Sequence, residues 1–523
     1  MRKRLISLLM AAALAVSGLT ACGGEKKEEE QNKAASDEEG KTFVFGDTTF
    51  NAENGESDIN PHKESGGWAC IRYGVGETLF KFSDSMETEP WLAKSYENVD
   101  ELTWKITLQD EVYFTSGRQM DAEAVKECLE ALVENHERAA GDLKIAEITA
   151  EGQTVTIRTE EPVPALINYL ADPYGCIIDM EAGVTEDGIV SGTGPYKAVS
   201  LERDTRLELV KNEEYWNGEP KIDKITVRTI SDGDTLTMAL QSGEIDAAYG
   251  MPYASYPLFE NDGYTFSSSA TSRVFFGAMN YESEITSDAA VREAIVLGID
   301  KESFVETLLD GNGYPAVGVY PDSFSFGGNA VTEDSYDPEK AKQVLEEAGW
   351  VDTDDDGIRE KEGKDLTLRW LTYPSRQELP LLAESAQATL KEIGINVEIN
   401  STADHNSIRQ DTGAWDIYVS AFVTAPTGDP EYFFSYCCLD NSVQNVGHYH
   451  SDRLEELAAE MSRTYDTQKR EELAVKMQQT VLDDNAYVFC SHLRMSMIAK
   501  SNVTGLSAHP CDYYEITADL DIA

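Results

Sequence analysis

Residues 112–125 read Val112-Tyr113-Phe114-Thr115-Ser116-Gly117-Arg118-Gln119-Met120-Asp121-Ala122-Glu123-Ala124-Val125, and their reading decides the fold class. Asp121 stands where a helix N-cap belongs, because a short carboxylate accepts the otherwise unpaired N–H groups of the first turn. Beyond it Val125, Cys128, Leu129 and Leu132 recur at i, i+3, i+4 and i+7, which places them on one helix face. Outward from this helix, short β-rich runs alternate with further helices. The runs are Phe43-Val44-Phe45, Thr103 to Leu108, Thr154 to Arg158, Lys224 to Ile230 and Arg273 to Met279. Asp337-Pro338 sets a cap and an N1 proline before Ala341, Val344, Leu345 and Ala348, and Gly349 stops that helix. A helix from Glu378 to Ile393 ends at Gly394 and leads into the strand Ile395 to Ile399. Two more helices with acidic faces fall near 452–463 and 467–482. No internal repeat and no Ser/Pro-rich linker interrupts the body. An α/β chain of this kind folds as lobes interwoven by the chain rather than strung like beads.

The chain has 523 residues, enough for three or four lobes at ~150 residues each. Hydrophobic residues at 41% and aromatics at 9% mark it as globular. Charge is the outlier: 43 Lys and Arg against 95 Asp and Glu leave a net −52. Such a field repels phosphate backbones and anionic headgroups, so nucleic acid is not an expected partner.

The first 22 residues carry Arg2, Lys3 and Arg4 and no acid, followed by a mostly apolar run, Leu5 to Gly18, too short for a comfortable membrane span. The run ends in Leu19-Thr20-Ala21-Cys22, which resembles a bacterial lipobox. That resemblance implies a signal peptide over 1–22, diacylglycerol on the Cys22 thiol, and a protein anchored at the extracytoplasmic face of the cell membrane. Residues 23–41, beginning GGEKKEEEQNKAASDEEG, have no large apolar side chain before the first strand and read as a tether. Seven cysteines remain, at 70, 128, 176, 437, 438, 490 and 511. Their odd number and the lack of CxxC or CxxxH spacing suit small buried thiols better than a disulfide framework or a metal knuckle.

Several blocks, in order, resemble the solute-binding proteins of the peptide/nickel class of ABC importers, family 5. They are Asn60-Pro61-His62; Gly76-Glu77-Thr78-Leu79-Phe80; Pro90 to Glu97; Leu102 to Leu108; and the 112–125 stretch itself. Further along stand Gly192 to Lys197, Asn212 with Tyr215-Trp216-Asn217-Gly218, and Ala239 to Asp246. Val291 to Ile295, Tyr336 to Ala341 and Ala348-Gly349-Trp350 complete the series. The resemblance covers about 42–500 and implies an α/β, type II periplasmic-binding-protein architecture with two hinged lobes and an extra, family-specific lobe. The expected division is lobe I about 42–88, 186–285 and 490–523; an extra lobe about 89–185; and lobe II about 286–489. The lobes would close over a small ligand and present it to permease and ATPase subunits, the chain working as a monomer without cofactor. A nutrient sensor without transport is the alternative downstream role.

For the ligand, the resemblance implies a short peptide first and a nickel or other metal chelate second. Peptide-binding members place an acid shortly after a Trp in the segment that here reads Ala421 to Pro430. That carboxylate pairs with the peptide's α-ammonium. Phe422 replaces the Trp, Pro426 falls about where the acid is expected, and Asp429 would substitute only if the loop shifts; as Asp-Pro it also reads as turn chemistry. Ala425-Pro426 and Glu134 to Arg138 resemble the nickel members, where Arg138 coincides with an arginine near the chelate. Against that, Gly141 replaces a Trp and a second arginine is lost near Asp172-Pro173-Tyr174. Arg138 also reads as a cation at a helix C-terminus. The expected cleft set is Trp68, Arg138, Arg273, Phe275, Pro426, Asp429, Tyr432 and His448. His448 and His450, two apart, could ligate a metal directly or be ordinary exposed imidazoles. Asp352-Thr353-Asp354-Asp355-Asp356-Gly357 imitates half an EF-hand loop, but Gly363 stands at position 12, so a structural turn is expected there. The histidines at 62, 136, 405, 448, 450, 492 and 509 form no HExxH, and neither GxSxG nor CGxC[WY] occurs. An enzyme is not expected.

Overall fold

Two strands are far longer than the rest, Tyr264–Met279 and Tyr487–Lys500, and they organise the architecture. The computed structural model describes residues 40–52, 57–63 and 65–523. The expected signal peptide, Cys22 and nearly all of the expected tether lie outside the described residues.

The long strands pair antiparallel in the middle of an eleven-stranded sheet. Their ladder runs from Tyr264 opposite Lys500 to Ala270 opposite Arg494, breaks, and resumes from Val274 opposite His492 to Ala278 opposite Tyr487. On one side of the break, Ala247–Tyr249 pairs with Met497 to Ala499 and leads to Thr42–Asp47, Lys224–Thr229, Arg206–Lys211 and Tyr196–Glu202. On the other side, Ile417–Val423 pairs with Arg273 to Met279 and leads to the parallel strands Thr367–Thr372 and Asn396–Ser401. The two halves of the sheet thus share only these two strands. A break in the ladder leaves few hydrogen bonds to resist bending at that point, which makes residues 271–273 and 493 the natural flexure. The crossing therefore falls before the expected boundary at 285.

Residues 89–185 supply a separate four-stranded antiparallel sheet, in the order Ala93–Asp100, Thr103–Leu108, Thr154–Thr159, Ile145–Glu151. Thr103–Leu108 and Thr154–Thr159 alternate buried and more exposed positions, as a sheet with one covered face requires. The cover is the helix Ala122–Asn135. The Asp121 carboxylate accepts the Ala124 N–H at 2.9 Å, and Val125, Cys128, Leu129 and Leu132 face inward.

Apolar packing divides the body differently from the expected lobes. One core gathers Phe43, Phe45, Tyr73, Ile225 and Val227 with Trp104 and Leu129 of the extra sheet. A second gathers Ile295, Leu345, Trp370, Leu390 and Val397. The helices Asp452–Met461 and Thr467–Asp483, expected in lobe II, place Leu454, Met461, Leu473 and Met477 in the first core. Their junction with the extra sheet shows why: Trp104 packs beside Tyr465 at 6.0 Å between rings, and Asn168 donates to the Thr427 carbonyl at 2.9 Å. Among the described residues no helix is long and apolar enough to cross a membrane.

Candidate functional site

The break between the long strands opens into a cleft of about 640 Å³. Thr271, Ser272, Arg273 and Leu493 to Ser496 line it from the crossing itself. Trp68 reaches it from the short helix Gly66–Arg72, Tyr249 and Tyr253 from one half of the sheet, and Tyr373 and Arg376 from the other. Val423, Ala425, Pro426 and the turn Pro510 to Tyr513 complete the wall. A volume near this value holds a ligand of a few hundred daltons. A more open depression of about 510 Å³ lies around Arg228 to Glu244 and shares Ser231 with the cleft.

Charge is what distinguishes the cleft. Arg273 is held below its usual pKa first by burial and then by the neighbouring Arg376 charge, while Asp512, Tyr249 and Tyr373 oppose the shift. Among the described residues neither Arg273 nor Arg376 forms an ion pair with a carboxylate. Two guanidiniums facing the same space in an otherwise acidic protein form a local anion site. Asp512 stands beside them in a left-handed backbone conformation, φ 55°. Burial raises its pKa, and Arg72, Arg273 and Arg376 resist the change. Behind it, fully buried Arg72 lies 3.5 Å from Asp512, 3.6 Å from Glu515 and 3.7 Å from Asp47, and Tyr73 donates to Asp47 at 2.8 Å. This cluster fixes the Asp512 turn against the helix that carries Trp68. Trp68 and Tyr513 then pack at 6.0 Å between rings, and the Tyr513 hydroxyl donates to the Pro426 carbonyl at 3.1 Å.

The expected cleft residues divide into three groups. Trp68, Arg273 and Pro426 line the cleft. Arg138 and Tyr432 do not line it; they lie near each other, close enough for the Arg138 charge to act on the Tyr432 hydroxyl. There Arg138 binds Asp172 at 2.6 Å and covers the Tyr174 ring at 4.7 Å, while Tyr432 lies in a parallel stack with Phe422 and Tyr436. The remaining three are placed elsewhere.

Phe275 is fully buried in the second core against Phe304 and does not line the cleft. Asp429 is consumed by a bidentate ion pair with buried Arg470, at 2.7 and 2.9 Å, which leaves it no free oxygen for a ligand ammonium. His448 is exposed on a turn at φ 55°. His450 bonds Asp440 at 2.8 Å, so the two imidazoles form no common site. The seven described cysteines are free and buried. Asp352, Asp354, Asp356 and Glu360 converge on the surface, where Asp352 caps its own turn through the Asp355 and Gly357 N–H groups. Residues missed by the sequence reading are Arg376, Asp512, Tyr513 and Tyr249. Tyr249 comes from a strand and the other three from loops far apart in sequence, so only the tertiary fold brings them together.

The family described as bacterial extracellular solute-binding proteins, family 5, matches residues 87–445. The chain belongs to that family. As a family 5 member it is a solute-binding receptor of the peptide/nickel class with the type II periplasmic-binding-protein fold, and not an enzyme. It is similar to the nickel-binding protein NikA of Staphylococcus aureus, with 29% identity over 77% of this chain and 80% of that one. It is also similar to the oligopeptide-binding protein AppA of Bacillus subtilis, with 24% identity over 99% of each. The crystal structure of a nickel ABC transporter protein from Bacillus halodurans superposes with a TM-score of 0.80 at 30% identity, covering 92% of this chain and 100% of that one. The sheet crossing and the extra four-stranded sheet are therefore features of a family 5 receptor.

Proposed function

We propose that this receptor captures a short peptide in the cleft at the sheet crossing and delivers it to the permease of an ABC importer, held at the extracytoplasmic face by a lipid on Cys22. The observation that carries the reading is the placement of Arg273 and Arg376, without carboxylate partners, beside Asp512. A zwitterion presents the complementary pair: its carboxylate accepts guanidinium N–H groups in a partly dry site, where charge-assisted bonds are strong, and its ammonium faces Asp512. Trp68, Tyr249, Tyr253 and Tyr373 supply apolar walls for the side chains. Closure of the two sheet halves about residues 271–273 and 493 gains contacts only when the cleft is filled, and this makes occupancy readable from outside. The similarity to an oligopeptide-binding protein over nearly the whole chain supports the same cargo class.

A nickel or other metal chelate is the second reading, favoured by a specific observation. Among the described residues no trio of His, Cys, Asp or Glu converges in the cleft, so a metal would enter already wrapped by carboxylates that the arginines could hold. Native mass spectrometry of ligand carried through purification, with metal analysis of the same sample, tests both. Peptide masses with no metal are expected. Stoichiometric metal with free histidine or a small carboxylate would replace the peptide reading by the chelate one. Replacing Cys22 with Ser is expected to release the protein from membranes.

A further inference from the structure

The cleft wall holds a thiol, Cys511, that the anion site leaves unused, and His509 backs it from outside the lining against the Tyr514 ring. Within the lining turn Pro510 to Tyr513, the Cys511 Sγ lies 2.9 Å from Nδ1 of His509. The same Nδ1 accepts the Cys511 N–H at 3.3 Å, so it is the unprotonated nitrogen. Nε2 carries the proton and faces the carbonyls of Phe82 and Ser83, with the exposed Asp84 carboxylate at 3.7 Å. A thiol aimed at an imidazole lone pair becomes a two-atom soft donor set once the thiol proton leaves. Cys70, Cys128, Cys176, Cys437, Cys438 and Cys490 are also buried, but none of them lines the cleft. The second observation is the guanidinium pair of Arg273 and Arg376. Their charge repels a bare cation and attracts an anionic carboxylate chelate, so a metal that reaches Cys511 arrives with its chelator.

We propose that Cys511 Sγ and His509 Nδ1 form a ligating pair for a soft divalent metal carried into the cleft as a carboxylate complex, with Arg273 and Arg376 neutralising the chelator. The inference rests on the chelate reading of the cargo. In the step, two chelator or water ligands leave the metal, bonds from Sγ and Nδ1 replace them, and the thiol proton passes to solvent. No electron is transferred. Thiolate and imidazole favour Ni²⁺, Cu²⁺ or Zn²⁺ over Mg²⁺ or Ca²⁺, which gives the cleft a selectivity that arginines alone lack.

The test loads purified full-length protein with Ni²⁺–citrate, desalts it, and reads nickel by elemental analysis and thiolate-to-nickel charge transfer by near-ultraviolet absorption. One nickel per chain with a charge-transfer band is expected. Cys511→Ser should abolish the band and weaken retention at least tenfold, His509→Gln should weaken both, and Cys490→Ser should change neither. In the unmodified protein, Ni²⁺–citrate should also protect Cys511 from maleimide labelling mapped by peptide mass spectrometry, a readout independent of how the variants fold. Nickel retained without a band, or a band that survives Cys511→Ser, would overturn the ligating pair while leaving the chelate reading intact. No nickel retained by protein that still binds peptides would overturn both together.

Discussion

Replacing Asp429 with Ala should cost stability and leave cargo binding nearly unchanged. Asp429 meets Arg470 through two bonds, Nε to Oδ2 at 2.9 Å and Nη2 to Oδ1 at 2.7 Å, and both residues are about 5% exposed. Arg470 keeps Glu431 at 2.8 Å and the carbonyls of Met461 and Thr464 at 2.7 and 3.1 Å. Losing one partner of a buried pair costs ~3–5 kcal/mol, and the surviving contacts point to the lower end, about 3 kcal/mol. For the body Gly40–Ala523, roughly 480 residues at ~2.1 cal/mol/K each give an unfolding entropy of about 1 kcal/mol/K. The melting temperature should then fall by about 3 °C. Differential scanning calorimetry supplies that number, and calorimetric titration of the cargo found by mass spectrometry supplies the affinity, expected within about twofold of the parent. An unchanged melting temperature with a tenfold loss of affinity would instead assign Asp429 to the ligand.

Phe275→Ala should behave similarly, since it empties a core site beside Phe304; a loss of ~3–5 kcal/mol in urea unfolding with unchanged affinity is expected. Trp68→Ala removes an aromatic wall of the cleft, and its cargo affinity should fall ~10-fold or more by titration while far-ultraviolet dichroism stays the same. Glu77 is fully buried and accepts bonds from Thr193, Tyr215 and Trp216; burial nonetheless raises its pKa from 4.5 to about 7. A raised folded pKa means that the native state binds the extra proton, so this group's contribution is complete below pH 4.5 and declines as pH rises through about 7. Urea melts at pH 5 and pH 8 should therefore show a smaller loss of stability on alkalinisation in Glu77→Gln than in the parent protein.

Local punctuation was legible in the sequence, because caps and periodicity are short-range. Asp121 and Asp337 cap as expected, each accepting an N–H at 2.9 Å, and Glu378–Glu392 ends one residue before the expected position. The strand expected from Arg273 begins at Tyr264, since the serine-rich start 267–269 carries no apolar alternation to announce it. The site was only partly legible. Trp68, Arg273 and Pro426, expected from the sequence, line the cleft, while Arg376, Asp512 and Tyr513 enter it from loops whose placement no local pattern encodes. Asp429 misled for the same reason: its partner Arg470 is distant in sequence, and a buried ion pair has no signature in either segment alone.

Arg273 and Arg376, which form no ion pair among the described residues, are proposed to hold an anionic group of the cargo at the sheet crossing. The most direct test is calorimetric titration of the identified cargo into the parent protein and into Arg273→Ala/Arg376→Ala. With ~1.5–3 kcal/mol for each charge-assisted contact, the double variant should bind the carboxylate-bearing cargo at least ~100-fold more weakly than the parent, with a much smaller loss for an amidated or esterified form. Equal affinity in the two proteins would place the cargo elsewhere and contradict the account.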